Sequence, residues 1–376
     1  MQYRKLGRAK DELSAIGYGC MRFPTNEAGE IKEKEAIELL RYAIDNGINY
    51  IDTAWPYHKE TSENLVGKAL QDGYREKIFL ATKMPSWLIK SKEDMEKYLD
   101  LQLKKLNTDY IDYYLVHALN KDYWKNLSDL DVFTFLDEKI KEGKIRHVGF
   151  SFHDEISLFK EIVDAYDWTF CQIQYNYLNE DYQAGKEGLK YAKDKGLGVI
   201  IMEPLLGGKL TKRIPKDIND IWDEANKKKT PAEWAFRWLW DQEEVGVILS
   251  GMGTLDQVKE NILIASDAYP NHLEDKEKAL IERVSKKYFE KIKYGCTECE
   301  YCMPCPKNVN IPALIDIYNS EFMFEEDNKE RYFNLLSREM GPDKCIECGI
   351  CEEKCPQNLP IRDALKKIEL YYKNKK

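Results

Sequence analysis

Eight short apolar runs, each separated from the next by a longer stretch of helical period, fill the chain from Leu13 to about Ala268. The runs are Ala15–Cys20, Ile48–Asp52, Ile78–Thr82, Ile111–Val116, Ile145–Phe150, Thr169–Ile173, Gly198–Met202 and Gly246–Leu249. Strands joined through helices pair in parallel, because a crossover is what returns the chain in the same direction. Eight such units predict an α/β fold closed into a TIM-type (β/α)8 barrel. Helices are expected at Glu33–Asn46, Ser91–Leu106 and Asp181–Lys195, with Asn46-Gly47 and Lys195-Gly196 as C-terminal stops. A lysine-rich stretch, Leu210–Thr230, interrupts the rhythm after the seventh strand and reads as a lid or an elaborated loop.

The net charge of -9 comes from interspersed acids and bases, which offers no basic face to nucleic acid or anionic lipid. No run reaches the roughly 20 apolar residues of a membrane span. The start, Met1-Gln-Tyr-Arg-Lys-Leu-Gly7, lacks the apolar core of a signal peptide. A soluble cytoplasmic protein is expected.

Of ten cysteines, Cys20 and Cys171 stand alone and eight crowd into two runs, a pattern of metal binding in a reducing compartment. The second run, Cys345-x2-Cys348-x2-Cys351-x3-Cys355-Pro356, has the bacterial ferredoxin spacing; the first, Cys296-x2-Cys299-x2-Cys302-x2-Cys305-Pro306, is one residue shorter in its last gap. Three thiolates at two-residue gaps wrap one corner of an iron-sulfur cube, and the fourth, before proline, points away and usually serves the other cluster. Cys305-Pro-Lys-Asn-Val-Asn-Ile311 and Cys355-Pro-Gln-Asn-Leu-Pro-Ile361 read alike, and each leads into an amphipathic helix. Two four-iron four-sulfur clusters are expected. A pair of four-cysteine zinc sites is the duller alternative, although zinc more commonly takes two CxxC pairs across a longer loop. The region resembles a two-cluster ferredoxin domain, which implies Cys296, Cys299, Cys302 and Cys355 on one cluster and Cys345, Cys348, Cys351 and Cys305 on the other. The expected division is a barrel over 1–272, a connecting helix over 273–294 and a small α-helical, ferredoxin-like iron-sulfur domain over 295–376.

In a (β/α)8 barrel the chemistry gathers at the C-terminal ends of the strands. There stand Asp52 and Tyr57 after the second strand, Lys83 after the third and His117 after the fourth. Singly, each is more often structural. Together they form a working acid. A phenol with an ordinary pKa of about 10 needs a neighbouring cation to act near neutrality, which Lys83 supplies. Asp52 would hold the ammonium, and His117 could orient a carbonyl by a hydrogen bond. The implied chemistry is carbonyl reduction or its reverse.

Ile51-Asp-Thr-Ala-Trp-Pro-Tyr57, Ser62-Glu63 with Gly67-Lys-Ala-Leu70, Thr82-Lys83 and Tyr113-Tyr-Leu-Val-His117 resemble the aldo-keto reductase family over essentially the whole barrel. The resemblance implies an Asp52, Tyr57, Lys83, His117 tetrad, NAD(P)H bound in an extended pose without a Rossmann domain, and a small aldehyde or ketone as substrate. It also implies Ser151 and Gln172 against the carboxamide. Ser250, Gly251, Gly253, Thr254, Gln257, Glu260 and Asn261 fall in the segment around the pyrophosphate and adenosine. Three departures matter. Met202 stands where an aromatic ring usually stacks on the nicotinamide. Gln257 stands where an arginine is common, and a 2'-phosphate wants cationic partners, so NADH becomes an open alternative to NADPH. Phe152 and His153 follow Ser151 where an asparagine is often found. Trp55, Trp87, Tyr18 and Met21 fit a substrate pocket and core packing equally well.

Nicotinamide moves two electrons as hydride whereas a cluster takes one at a time, and no residue here divides the pair. A flavin such as FMN, its phosphate on the same glycine-rich segment, or an external electron-transfer protein would resolve the mismatch. The competing reading makes the clusters structural or redox-sensing and the barrel a nucleotide-responsive module.

Overall fold

The computed structural model describes residues 1–298 and 300–375. The eight expected strands form and close into a parallel barrel: β1 (Ile16–Gly19), β2 (Tyr50–Asp52), β3 (Phe79–Met84), β4 (Ile111–Leu119), β5 (Ile145–Phe152), β6 (Phe170–Gln174), β7 (Gly198–Met202) and β8 (Val245–Ser250). They pair in sequence order, and β8 also pairs with β1.

Strand side chains alternate in and out with period two. Tyr50, Ala81, Tyr113, Leu115, Phe170, Ile200, Val247 and Leu249 therefore share the barrel interior. The next inward positions toward the C-terminal ends are Asp52, Lys83, His117, Ser151, Gln172 and Met202, so the candidate residues are the continuation of the interior layer. Outward residues such as Ile51, Leu80, Tyr114 and Phe150 pack under the surrounding helices.

The floor of the barrel is closed by a feature with no counterpart in the sequence reading. Tyr3–Lys5 and Glu12–Ser14 pair as an antiparallel hairpin that inserts Leu6 and Leu13 into the interior layer. Leu6 fits because Gly198 has no side chain; a Cβ there would lie 2.3 Å from Leu6 Cγ.

The first two expected helices appear as Glu33–Asp45 and Lys92–Leu106. Gly47 stops the first at φ 96°, and Asp94 accepts the Ser91 N–H at the start of the second. The third begins at Gly185 rather than Asp181, because Gln183 takes φ of 58°, which breaks a right-handed helix started at Asp181.

The chain divides into two compact units: residues 1–207 with 229–274, and residues 208–228 with 275–376. The lysine-rich stretch after β7 thus belongs to the C-terminal unit. Its short helix Lys216–Trp222 buries Ile218 and Trp222, packs on Asp275–Phe289, and is tied by Asp217 to Lys291 at 2.9 Å. The polar composition hides these two apolar anchors.

In the same unit, Ile311–Met323 and Ile361–Asn374 follow the two Cys-Pro segments and pack together around Leu314, Ile315, Leu365 and Ile368. Among the described residues no helix is long and apolar enough to cross a membrane.

Candidate active site and cluster sites

β2 ends on Asp52, and β3 runs beside it with Ala81 opposite Asp52, which brings Lys83 to the level of the loop that follows β2. Lys83 Nζ donates to Asp52 Oδ1 at 2.6 Å and to Thr53 O at 2.9 Å, and stands 3.5 Å from Tyr57 Oη. Lys83 is 0 % exposed and Asp52 2 %. Lys83 and His117 lie inside their strands rather than past them, because pairing continues through Lys83 with Leu115 and Met84 with Val116.

A β-bulge aims His117. Val116 pairs with Phe150 and Leu119 with Phe152, leaving one extra residue on β4, and Ala118 takes φ 53°. Ser151 Oγ accepts the Ala118 N–H at 2.7 Å and so fixes the bulge. The His117 ring stands edge-on to Tyr57 with centroids 6.4 Å apart, and Trp87 lies 5.2 Å away on another side. Among the described residues His117 Nδ1, which is buried, finds no hydrogen-bond partner.

Burial works against the Lys83 ammonium, but Asp52 and Tyr57 more than offset it and raise its pKa. Burial raises the Tyr57 phenol, with Lys83 opposing. Lys83 alone was expected to bring the phenol down; with the mouth this enclosed, desolvation wins and Tyr57 keeps its proton. Burial, helped by Lys83 and His153, holds His117 well below the ordinary histidine value, so its ring is neutral near pH 7.

Behind the tetrad a buried network absent from the sequence reading holds β3. Glu63 accepts from Thr82 Oγ1 and from Gln102 Nε2, both at 2.7 Å, and Gln102 also donates to Lys83 O at 2.9 Å. Glu63 was legible as part of a motif. Gln102 sits on a helix with nothing local to mark it.

The candidate cofactor residues fall in two groups. At the mouth, Gln172 Nε2 lies 3.7 Å from Met202 Sδ, and Gln172 Oε1 is buried with no hydrogen-bond partner among the described residues. After β8, Asn261 Nδ2 donates to Ser250 Oγ at 3.0 Å, and Gln257 Oε1 accepts the Gly253 N–H at 2.9 Å. Thr254 caps Leu255–Ala265 by accepting the Gln257 N–H at 3.3 Å. Glu260 turns aside and accepts from Thr230 Oγ1 at 2.7 Å. Arg22, exposed on the loop after β1, packs its aliphatic stem on the glycine turn: a Cβ on Gly251 would lie 2.6 Å from Arg22 Cγ. Contiguous motif reading of the last segment could not find it. An orphaned amide oxygen over the mouth and a glycine turn heading an eleven-residue helix fit a nicotinamide and a phosphate group.

In the C-terminal unit two cavities lie beside the cysteine runs. One is lined by Cys296, Cys302 and Cys355. The other is lined by Cys305, Cys345, Cys348 and Cys351, with Cys302 also at its wall. Each cavity thus receives the Cys-Pro cysteine of the other run. Cys299 lies outside the described residues. The two halves repeat one backbone pattern: Glu298 and Glu347 take φ of 56° and 57°, and each donates its N–H to the preceding cysteine sulfur, Cys296 or Cys345, at 3.4 Å. Asn308 and Asn358, at φ 60° and 51°, donate N–H to Cys305 O and Cys355 O. Thiolate-lined cavities with N–H groups on sulfur fit iron-sulfur clusters.

An eight-stranded parallel barrel with this mouth defines an oxidoreductase class, and comparison with known proteins gives the family. The aldo/keto reductase family model matches residues 15–285, and a 4Fe-4S dicluster domain matches residues 295–359. An oxidoreductase of Bacillus subtilis, YqkF, is 27% identical over 297 residues, covering 71% of this chain and 92% of its own. Aldo-keto reductase AKR11C1 of Bacillus halodurans, in a holo form, superimposes with a TM-score of 0.65 at 28% identity, covering 76% of this chain and 96% of that one. The thermostable aldo-keto reductase Tm1743, solved with the inhibitor epalrestat, gives 0.62 at 27%, covering 76% and 100%. The chain belongs to the aldo/keto reductase family, as an NAD(P)H-dependent oxidoreductase carrying a C-terminal 4Fe-4S domain. The iron-sulfur match sets the zinc alternative aside.

Proposed function

We propose that the barrel reduces an aldehyde or ketone with NAD(P)H, and that the eight cysteines hold two 4Fe-4S clusters which exchange single electrons with a partner protein. The observation that carries the first half is Lys83, wholly buried, between Asp52 at 2.6 Å and Tyr57 Oη at 3.5 Å. When bound, NAD(P)H supplies hydride to the carbonyl carbon. Tyr57 gives its proton to the carbonyl oxygen, which completes the alcohol, and its phenolate, stabilised by Lys83, takes a proton back from water. A phenol whose pKa burial has raised favours this direction, since it holds its proton until an alkoxide-like oxygen develops. His117, neutral, donates one N–H to that oxygen. Gln172 and Ser151 would orient the carboxamide, and Ser250, Gly251, Gly253, Thr254 and Asn261, with Arg22, the phosphates.

The second half rests on the exchange of Cys305 and Cys355 between the two cavities. No side chain splits a hydride into single electrons, so the clusters take electrons from and return them to one-electron partner proteins, apart from the hydride transfer at the barrel mouth. The test is anaerobic incubation of the holoprotein with NADPH and a panel of aldehydes and ketones. Alcohol formed in step with NADPH consumed supports the reductase. Absence of turnover across the panel, or a flavin released on denaturation, overturns the nicotinamide mechanism.

A further inference from the structure

Directly after Tyr57 the backbone turns against the preference of L-residues. His58, Lys59 and Glu60 take φ of 51°, 54° and 70°, three left-handed residues in succession with no glycine among them. Each costs free energy and persists only where neighbours hold it. Within the turn, His58 O accepts from the Thr61 hydroxyl at 2.7 Å. Two holds reach outside: Glu60 O accepts from Lys105 Nζ of the helix Lys92–Leu106 at 3.2 Å, and the second falls on the His58 side chain. The Phe23 N–H donates to His58 Nε2 at 3.2 Å, and the two rings lie 5.7 Å apart.

Phe23 is buried and packs on Tyr18 at 5.9 Å, and the Tyr18 hydroxyl donates to Met252 O at 2.6 Å. Met252 lies between Gly251 and Gly253, and Arg22, the neighbour of Phe23, lies against Gly251. A single imidazole therefore ties the turn that presents Tyr57 to the loop that bears Arg22, and through Tyr18 to the glycine turn after β8.

We propose that His58 is a positioning residue of the reductase site, setting the Tyr57 hydroxyl and the phosphate-facing turn as one unit. The inference rests on the nicotinamide reading of the barrel mouth. Burial holds the His58 imidazole below its ordinary pKa, which leaves Nε2 an open acceptor at neutral pH. Were the side chain without a task, glycine would suit φ 51° better.

The test uses the full-length holoprotein and two variants. His58→Gly removes the acceptor while relieving the turn; His58→Gln keeps an acceptor at a similar reach. NADPH affinity is read from tryptophan fluorescence, and kcat and aldehyde KM are read at saturating NADPH. His58→Gly should weaken NADPH binding by about fivefold, the loss expected for one hydrogen bond, and lower kcat, with aldehyde KM little changed. His58→Gln should recover most of both. Unchanged NADPH affinity in His58→Gly, or an equal loss in the two variants, overturns the proposal. A wild-type chain that binds NADPH but reduces no carbonyl overturns the reductase reading instead, and the binding comparison still judges His58.

Discussion

Lys83 and Asp52 form an ion pair of 2.6 Å in which neither partner reaches solvent. Its worth lies in geometry more than in stability, because two desolvated charges regain in attraction about what they lose in hydration. Asp52→Asn should cost about 3–5 kcal/mol, since it leaves the ammonium buried without a counter-charge. Adding Lys83→Met should restore part of that stability while activity stays lost. Urea denaturation of the two variants checks this, and strictly additive losses would refute it.

Acid should weaken the fold through histidines. Burial depresses His117, His153 and His58 below their ordinary 6.5, so the unfolded chain binds protons that the folded one refuses. Their contribution is complete above that value and is lost as pH falls below it, by at most about 1.4 kcal/mol per pH unit for each ring. His117→Gln should flatten the fall in urea midpoint between about pH 6.5 and 5.5 relative to wild type. Parallel curves would show that His117 titrates normally.

The crossed cysteines separate by pairs of substitutions. Cys345→Ser with Cys305→Ser touches one cavity and should leave about half the iron and sulfide, whereas Cys345→Ser with Cys355→Ser touches both and should leave little. Iron analysis of anaerobically purified protein decides. The reverse ranking would place each Cys-Pro cysteine with its own run.

Arg22 bears on the choice of nucleotide. The stem of this exposed residue lies against Gly251 and its guanidinium reaches toward Gly207, placing beside the glycine turn a cation that Gln257 does not provide. Arg22→Ala should weaken NADPH by about tenfold, the range of a charge-assisted hydrogen bond, and NADH by less. Equal effects on the two nucleotides would detach Arg22 from the 2'-phosphate.

The barrel was legible because each strand is a short, largely apolar run set between helical stretches, and the grouping of Asp52, Tyr57, Lys83 and His117 because all four stand at or near strand ends that face one opening. Missed features depend on contacts distant in sequence. The Leu6 plug is visible only against Gly198, Arg22 only against Gly251, and Gln102 only against Lys83 O. Ile218 and Trp222 were hidden by the lysines around them, although their burial assigns 208–228 to the C-terminal unit. The direction of the Tyr57 shift was misjudged because Lys83 shows in sequence and desolvation does not.

The most direct measurement compares Tyr57→Phe with wild type for kcat of aldehyde reduction and for NADPH affinity. Loss of the proton donor should lower kcat by about 10²- to 10⁴-fold with NADPH affinity retained. A Tyr57→Phe variant that reduces aldehyde at the wild-type rate would contradict the assignment of Tyr57, and with it the carbonyl chemistry of the barrel mouth.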